Sequence, residues 1–180
     1  MDEYHQLIAQ GFFASDERFE LLEGYIVRKM PRDPVHDVAV ELAQGAVAAR
    51  LPAGWRVRVQ CAMTTGDSEP EPDLVVVRGQ PRDYLGRHPG PSDLALVIEI
   101  ANTSVTEDRA WKGAVYAGAG VAVYWVVNLV DRRVEVYTDP SGPDTAPAYR
   151  RREDYGLGQS IPLIIDGADR GPVPVRDLLP

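Results

Sequence analysis

The chain has 180 residues and a mass of 19.8 kDa, with 44% apolar and 26% charged residues, a balance that suits one soluble globular domain over 1–180 whose core needs no staple. The single cysteine, Cys61, excludes an internal disulfide, no window reaches the roughly 20 apolar residues of a membrane span, and Met1-Asp2-Glu3 does not open a secretion leader, so a cytoplasmic setting is expected. With 27 Asp and Glu against 19 Lys and Arg, the net charge of −8 argues against a protein that coats nucleic acid by charge alone, but not against an enzyme that meets nucleic acid through a bound cation.

Residues 3–11 fit a short helix, and Arg18 to Met30 divides into two short strands about a Glu23-Gly24 turn. Asp33-Pro34 has the form of an N-cap followed by proline at the first helical position. Val35, Val38, Ala39, Leu42, Ala46 and Ala49 make an apolar stripe, which predicts a helix from about 34 to 50. Residues 55–61 alternate as a half-buried strand does, placing Cys61 inward. Leu74 to Val77 and Leu94 to Ile100 are nearly continuous apolar runs, the pattern of central strands covered on both faces. The Gly- and Pro-bearing connection 78–93 is long enough for a mobile flap. Ser104 and Glu107 fit a capping box for a helix running to about Ala117. Val121 to Leu129 follows as a buried strand containing Tyr124 and Trp125, Val134 to Thr138 returns as its hairpin partner, and 139–156 fits an exposed loop carrying Arg150-Arg151-Arg152. A short strand near Ile161 to Ile165 and a closing Val175 to Leu179 complete an α/β layout.

Glu99 is the most informative residue. Its neighbours Val97, Ile98 and Ile100 are apolar, and an ionised carboxylate among them costs several kcal/mol unless it is paired or bound to a metal. Asp73 stands at the entrance of the adjacent apolar run, and if the two strands pair, both carboxylates converge where a Mg²⁺ ion could be held with water. Lys112, one of only two lysines against 17 arginines, lies in the helix after Glu99 with Asp108 four residues before it. A helix packing back over the sheet would carry its amine toward the strand ends, where it could hold an attacking water or balance phosphate charge. Each residue also has a plain structural role open to it. Pro72-Asp73 can be a turn, Glu99 with Lys112 a structural ion pair, and Asp108 with Lys112 an i,i+4 surface pair. An Asp, a Glu and a Lys on three successive elements are harder to explain as independent accidents. No P-loop, dinucleotide fingerprint, zinc spacing or Gly-x-Ser-x-Gly elbow is present.

The order of motifs resembles the Uma2 family of restriction-endonuclease-like proteins, a branch of the PD-(D/E)XK nuclease superfamily. The likeness is carried by Phe19-Glu20-Leu21-Leu22-Glu23-Gly24, by His36, by Pro72-Asp73 with Leu74 to Val77, and by Val97-Ile98-Glu99-Ile100. It continues through Ser104, Asp108-Arg109, Lys112, Tyr116-Ala117, Gly120-Val121 and Tyr124 to Leu129. The resemblance implies a restriction-endonuclease-like core: a central mixed β-sheet flanked by helices, with an N-terminal helix and β-hairpin. It implies Asp73 and Glu99 as metal ligands, with the carbonyl of Ile100 as a third. The superfamily's lysine two residues after the Glu is here Ala101, and Lys112 is taken to replace it from the next helix. Glu20 is the choice for an additional acidic residue, Glu41 the fallback, and His36 and Asp108 are secondary candidates.

The expected function is Mg²⁺-dependent endonucleolytic hydrolysis of DNA, with Mn²⁺ a possible substitute and a homodimer the simplest way to cut two strands. The competing expectation is a noncatalytic module that keeps the nuclease-like fold for binding or assembly.

Overall fold

In the computed structural model, which describes residues 1–13 and 18–180, helix α1 (Asp2–Ala9) leads into a β-hairpin of β1 (Phe19–Leu22) and β2 (Tyr25–Arg28). Glu23 and Gly24 turn the hairpin with positive φ at both positions, as a tight two-residue turn requires. Helix α2 (Pro34–Ala48) starts as its sequence predicts, with the Asp33 carboxylate accepting from the His36 amide at 2.8 Å and Pro34 presetting φ at the first position.

A six-stranded mixed sheet follows in the order β3 (Trp55–Val59), β4 (Leu74–Arg78), β5 (Leu94–Ala101), β6 (Val123–Asn128), β7 (Arg133–Pro140) and β8 (Tyr149–Gly156). The β5–β6 pair is parallel and its neighbours are antiparallel. Parallel strands need a crossover, and this one is helical: α3 (Val105–Glu107), a π-helical turn (Asp108–Lys112) and α4 (Gly113–Gly118). A hairpin of β9 (Ser160–Ile165) and β10 (Ala168–Pro174) closes the chain. Strand alternation then divides the core. Ile98, Ile100, Trp125 and Val127 face α2 and the β9–β10 hairpin, while Val97, Val126 and Tyr124 face Val115 and Tyr116 of α4. Among the described residues no helix is long and apolar enough to cross a membrane.

Several local expectations are corrected. The apolar arc of α2 covers more than half its circumference, and the sheet takes only the half centred on Ala39, Val40, Ala43 and Val47, leaving Val35, Val38 and Leu42 exposed. The small alanines allow the closest approach to the strands. The connection 78–93 is no open flap: two 3₁₀ turns, Pro81–Tyr84 and Pro91–Asp93, fold it so that Tyr84 packs on the sheet. Ser104 makes no capping bond, because its hydroxyl donates to the Asp108 carboxylate instead, and the helix is interrupted by the π turn. Residues 149–156, expected as loop, form edge strand β8, whose arginines mark it as a charged edge. Strand β10 has Gly171 and Pro172 at an irregular register and gives no strand signal in sequence. The closing Val175 to Leu179 begins as a 3₁₀ turn, and Cys61 is half-buried with its thiol near the Val59 carbonyl.

Glu135 on β7 ties the crossover to the sheet. Fully buried, its carboxylate accepts from Arg109 Nε at 2.7 Å, Tyr137 Oη at 2.8 Å and Asn128 Nδ2 at 3.0 Å, with a second, shorter bond from Arg109 Nη2 and Arg152 Nη2 at 3.3 Å. Burial opposes ionisation, but Arg109, Asn128 and Tyr137 outweigh it and hold the carboxyl down at about 2, from an ordinary 4.5. A depressed carboxylate stabilises the fold above its unfolded pKa and loses that contribution as pH falls through the window between the two values. Wild type is therefore expected to lose stability between about pH 4.5 and 2 more steeply than Glu135→Gln in acid-dependent urea unfolding. Parallel curves would show that the hub contributes no pH-linked stability.

Candidate active site

Asp73 immediately precedes β4, and antiparallel pairing sets Leu74 beside Ile98, so Asp73 arrives at the level of Glu99 and Ile100. The backbone records the juxtaposition: the Ile100 amide donates to Asp73 Oδ2 at 2.9 Å and the Asp73 amide to Glu99 Oε2 at 3.3 Å. Glu99 alternates with Val97 and so faces the crossover helix. From there Lys112, the last residue of the π turn, places Nζ 2.9 Å from Glu99 Oε1, 3.6 Å from Glu20 Oε1 and 3.8 Å from Asp108 Oδ1. Tyr116, one turn later, donates to the same Glu99 oxygen at 2.8 Å. Asp108 and Lys112 are no surface pair, for both are buried. Glu20 enters from β1 and accepts from the Glu71 amide at 3.0 Å, and His36 of α2 stands 3.1 Å from Asp73 Oδ2. Asp73, Glu99, Lys112, Glu20, Asp108, His36 and Ile100 line one cavity of about 100 Å³.

Charge in this cavity is unevenly placed: Arg18, Arg28, Lys29 and Arg32 stand in its less buried wall, and its buried part is acidic. Four buried carboxylates, those of Asp73, Glu99, Glu20 and Asp108, share one buried ammonium, with Lys29 at 3.9 Å from Glu20 and the imidazole of His36 at the edges. Burial works against an ionised Asp73, yet His36, the Ile100 amide and Lys112 outweigh it and hold the carboxyl at about 2. Glu99 is pushed the other way, well above the usual carboxylate range, by burial that the attraction of Lys112 does not offset. Burial likewise lifts Asp108 to about 6. Lys112 itself, which burial alone would discharge, is kept protonated by Glu99, Glu20 and Asp108. An ammonium so held can orient a water or balance phosphate charge.

The donor chemistry suits a hard divalent cation. Asp73 and Glu99 offer carboxylate oxygens and Ile100 a main-chain carbonyl, the all-oxygen set that Mg²⁺ takes with several waters, and the excess of carboxylate among the buried groups favours a cation. No group of three or more His, Cys, Asp or Glu placed to hold a metal ion occurs among the described residues. A site completed by water fits both observations.

The fallback Glu41 is not brought to this cavity; it is exposed on α2 and lines a separate hollow with Asp37 and Gln60. Sequence reasoning quoted Tyr116 in the Uma2 likeness without giving it a role, and gave none to Lys29, which donates to the Glu71 carbonyl in a short contact and lines the cavity. The rarity of lysine was the signal for Lys29, and the family motif the signal for Tyr116.

A family model for Uma2, described as "Putative restriction endonuclease", matches residues 1–166. The chain belongs to the Uma2 family. Its fold is similar to that of a crystal structure from Anabaena variabilis, described as "a putative nuclease belonging to DUF820", with a TM-score of 0.70 over 98% of this chain and 95% of that one. At 19% identity this likeness speaks for the fold alone. A search of curated proteins gave no match. The Uma2 membership supports a nuclease as the broad reading.

Proposed function

We propose that this Uma2 chain is a Mg²⁺-dependent endonuclease that hydrolyses phosphodiester bonds in DNA. The observation that carries the proposal is the meeting, in one solvent-reached cavity, of Asp73, Glu99 and the Lys112 ammonium 2.9 Å from Glu99. Asp73, Glu99 and the Ile100 carbonyl would hold the cation, which when bound polarises the phosphate and acidifies water. Lys112, fixed by Glu99, Glu20 and Asp108, would orient the attacking water or offset charge on the phosphate. Tyr116 holds Glu99 in place, and His36 does the same for Asp73. In the reaction a water oxygen bonds to phosphorus, the bond from phosphorus to one deoxyribose oxygen breaks, and that oxygen gains a proton as the water gives one up. Val35, Val38 and Leu42, exposed on α2 beside His36, would supply an apolar face for a homodimer cutting both strands.

The test is cleavage of supercoiled plasmid in Mg²⁺ or Mn²⁺ by wild type and by Asp73→Asn. The variant keeps a side chain able to accept from the Ile100 amide, so it is expected to fold and to lose about 10³-fold or more in rate. Cleavage that persists undiminished in Asp73→Asn removes this site from the reaction. A folded wild type that cuts neither DNA nor RNA favours the noncatalytic module.

A further inference from the structure

Along the sheet from the cavity, the acidic chain gathers arginines around one tyrosine. Arg56 and Arg58, two apart on β3, point to one face of the sheet, and each guanidinium carbon lies over the Tyr84 ring at 5.6 Å from its centroid; that of Arg87 lies at 5.1 Å. The folded 79–93 connection makes this arrangement, fixing Tyr84 through its hydroxyl to the Arg78 carbonyl at 2.7 Å. Arg87 is neutralised by a two-pronged pair with Asp93 at 2.6 and 3.1 Å. Arg56 and Arg58 form no ion pair among the described residues: Arg56 Nε reaches only the Gly79 carbonyl at 3.3 Å, and Arg58 Nη1 is a buried donor without an acceptor. In a chain of net charge −8, two adjacent half-buried guanidinium groups with no acidic partner among the described residues favour an anion at their accessible part.

Their position joins this patch to the cavity. Arg58 pairs across from Val75 and Arg56 from Val77, valines that share a core cluster with Val97, so both arginines lie on the face of the sheet that Glu99 shares. Gln60 donates its amide to the Asp73 carbonyl at 2.9 Å, which puts Arg58 about 7 Å, two residues, along the strand from the level of Asp73. With three guanidinium groups over its ring, Tyr84 is engaged in cation–π contacts rather than set out to stack on a base. The surface presents charge, as backbone contact to a duplex requires, and no stacking platform of the kind single strands use.

Building on the nuclease reading, we propose that Arg56 and Arg58, braced on Tyr84, form the docking surface for the phosphate backbone of duplex DNA flanking the bond to be cut. The experiment is fluorescence anisotropy of a labelled duplex in EDTA, with salt varied from about 50 to about 200 mM, alongside plasmid cleavage in Mg²⁺. Arg56→Ala/Arg58→Ala, checked for folding by its melting curve, is expected to weaken binding by about tenfold or more at low salt and to flatten the log–log salt slope by about 2. The control Arg170→Ala/Arg176→Ala is expected to leave both unchanged. An unaltered slope in the folded β3 variant overturns the docking surface, as does an equal loss in the control, a wild type that binds no duplex, or arginine-dependent binding confined to single strands or RNA. Undiminished cleavage together with an unaltered slope overturns the docking surface and spares the nuclease reading. Arginine-dependent duplex binding without any cleavage does the reverse.

Discussion

Lys112→Met is expected to lower cleavage by about 10² to 10⁴-fold and, at neutral pH, to cost about 3–5 kcal/mol of stability. Methionine fills the same slot with no charge, so the packing of the π turn is largely retained and the effect is electrostatic. What it leaves behind is Glu99, Glu20 and Asp108, three buried carboxylates that share the Lys112 ammonium at 2.9, 3.6 and 3.8 Å. Without a counter-charge in a site of low dielectric they repel one another, and Glu99 and Asp108, already raised by burial and held down by Lys112, rise further above their unfolded pKa values. A folded state that binds more protons gains stability as pH falls, so the deficit is expected to shrink in acid. Urea unfolding at two pH values, with plasmid cleavage measured on the same preparations, separates the two effects. Full activity in a folded Lys112→Met protein would remove the lysine from the site, and unchanged stability would mean that the carboxylates are solvated.

What the sequence disclosed followed how directly each feature rests on local chemistry. The apolar runs 74–77 and 94–100, short and rich in β-branched residues, have the pattern of strands covered on both faces, and once they are paired the meeting of Asp73 with Glu99 follows from register. Lys112 was legible as a candidate because lysine is rare here and follows Glu99 by one helix. How it reaches the site was not, since the π turn that points it inward depends on the Asp108 contacts with Ser104 and Lys112 and on the anchoring of Arg109 by Glu135. The Asp108 contacts are four residues apart and legible as pairs, but their depth is not, and Glu135 lies 26 residues from Arg109. The buried face of α2 was decided the same way: its apolar arc is wider than one contact, and the β9–β10 hairpin and the sheet chose the alanine side. Strand β8 was hidden because YRRREDYG has the composition of a loop, and its pairing with β7, where Arg152 meets Glu135 and Tyr137, makes it an edge strand. Likewise Arg56 and Arg58 alternate in sequence as any solvent-facing strand residues do, and Tyr84 comes to them from a connection whose fold no motif announces.

Glu99→Gln and Asp73→Asn are expected to part company in stability while agreeing in function. Glu99 is pushed above its usual range by burial, so its charge is held at a cost, and neutralising it should leave the cation-free protein equally stable or more so. Asp73 is held at about 2 by His36, the Ile100 amide and Lys112, so its charge stabilises the fold and Asp73→Asn should weaken it. Either change removes one of two carboxylates offered to the cation. In wild type, Mg²⁺ or Mn²⁺ at about 100 times its Kd is expected to add about 2.7 kcal/mol, which for a chain of this length raises Tm by about 5–10 °C. Both variants should lose that rise, Glu99→Gln from an equal or higher starting Tm and Asp73→Asn from a lower one. A full cation-dependent rise in Glu99→Gln would mean that the ion binds elsewhere, and equal destabilisation by the two changes would mean that Glu99 is a paired structural carboxylate. The contrast rests on the same imbalance that makes the cavity a plausible cation site: it buries more carboxylates than Lys112 can neutralise, and the one under most strain, Glu99, has most to gain from a second positive charge.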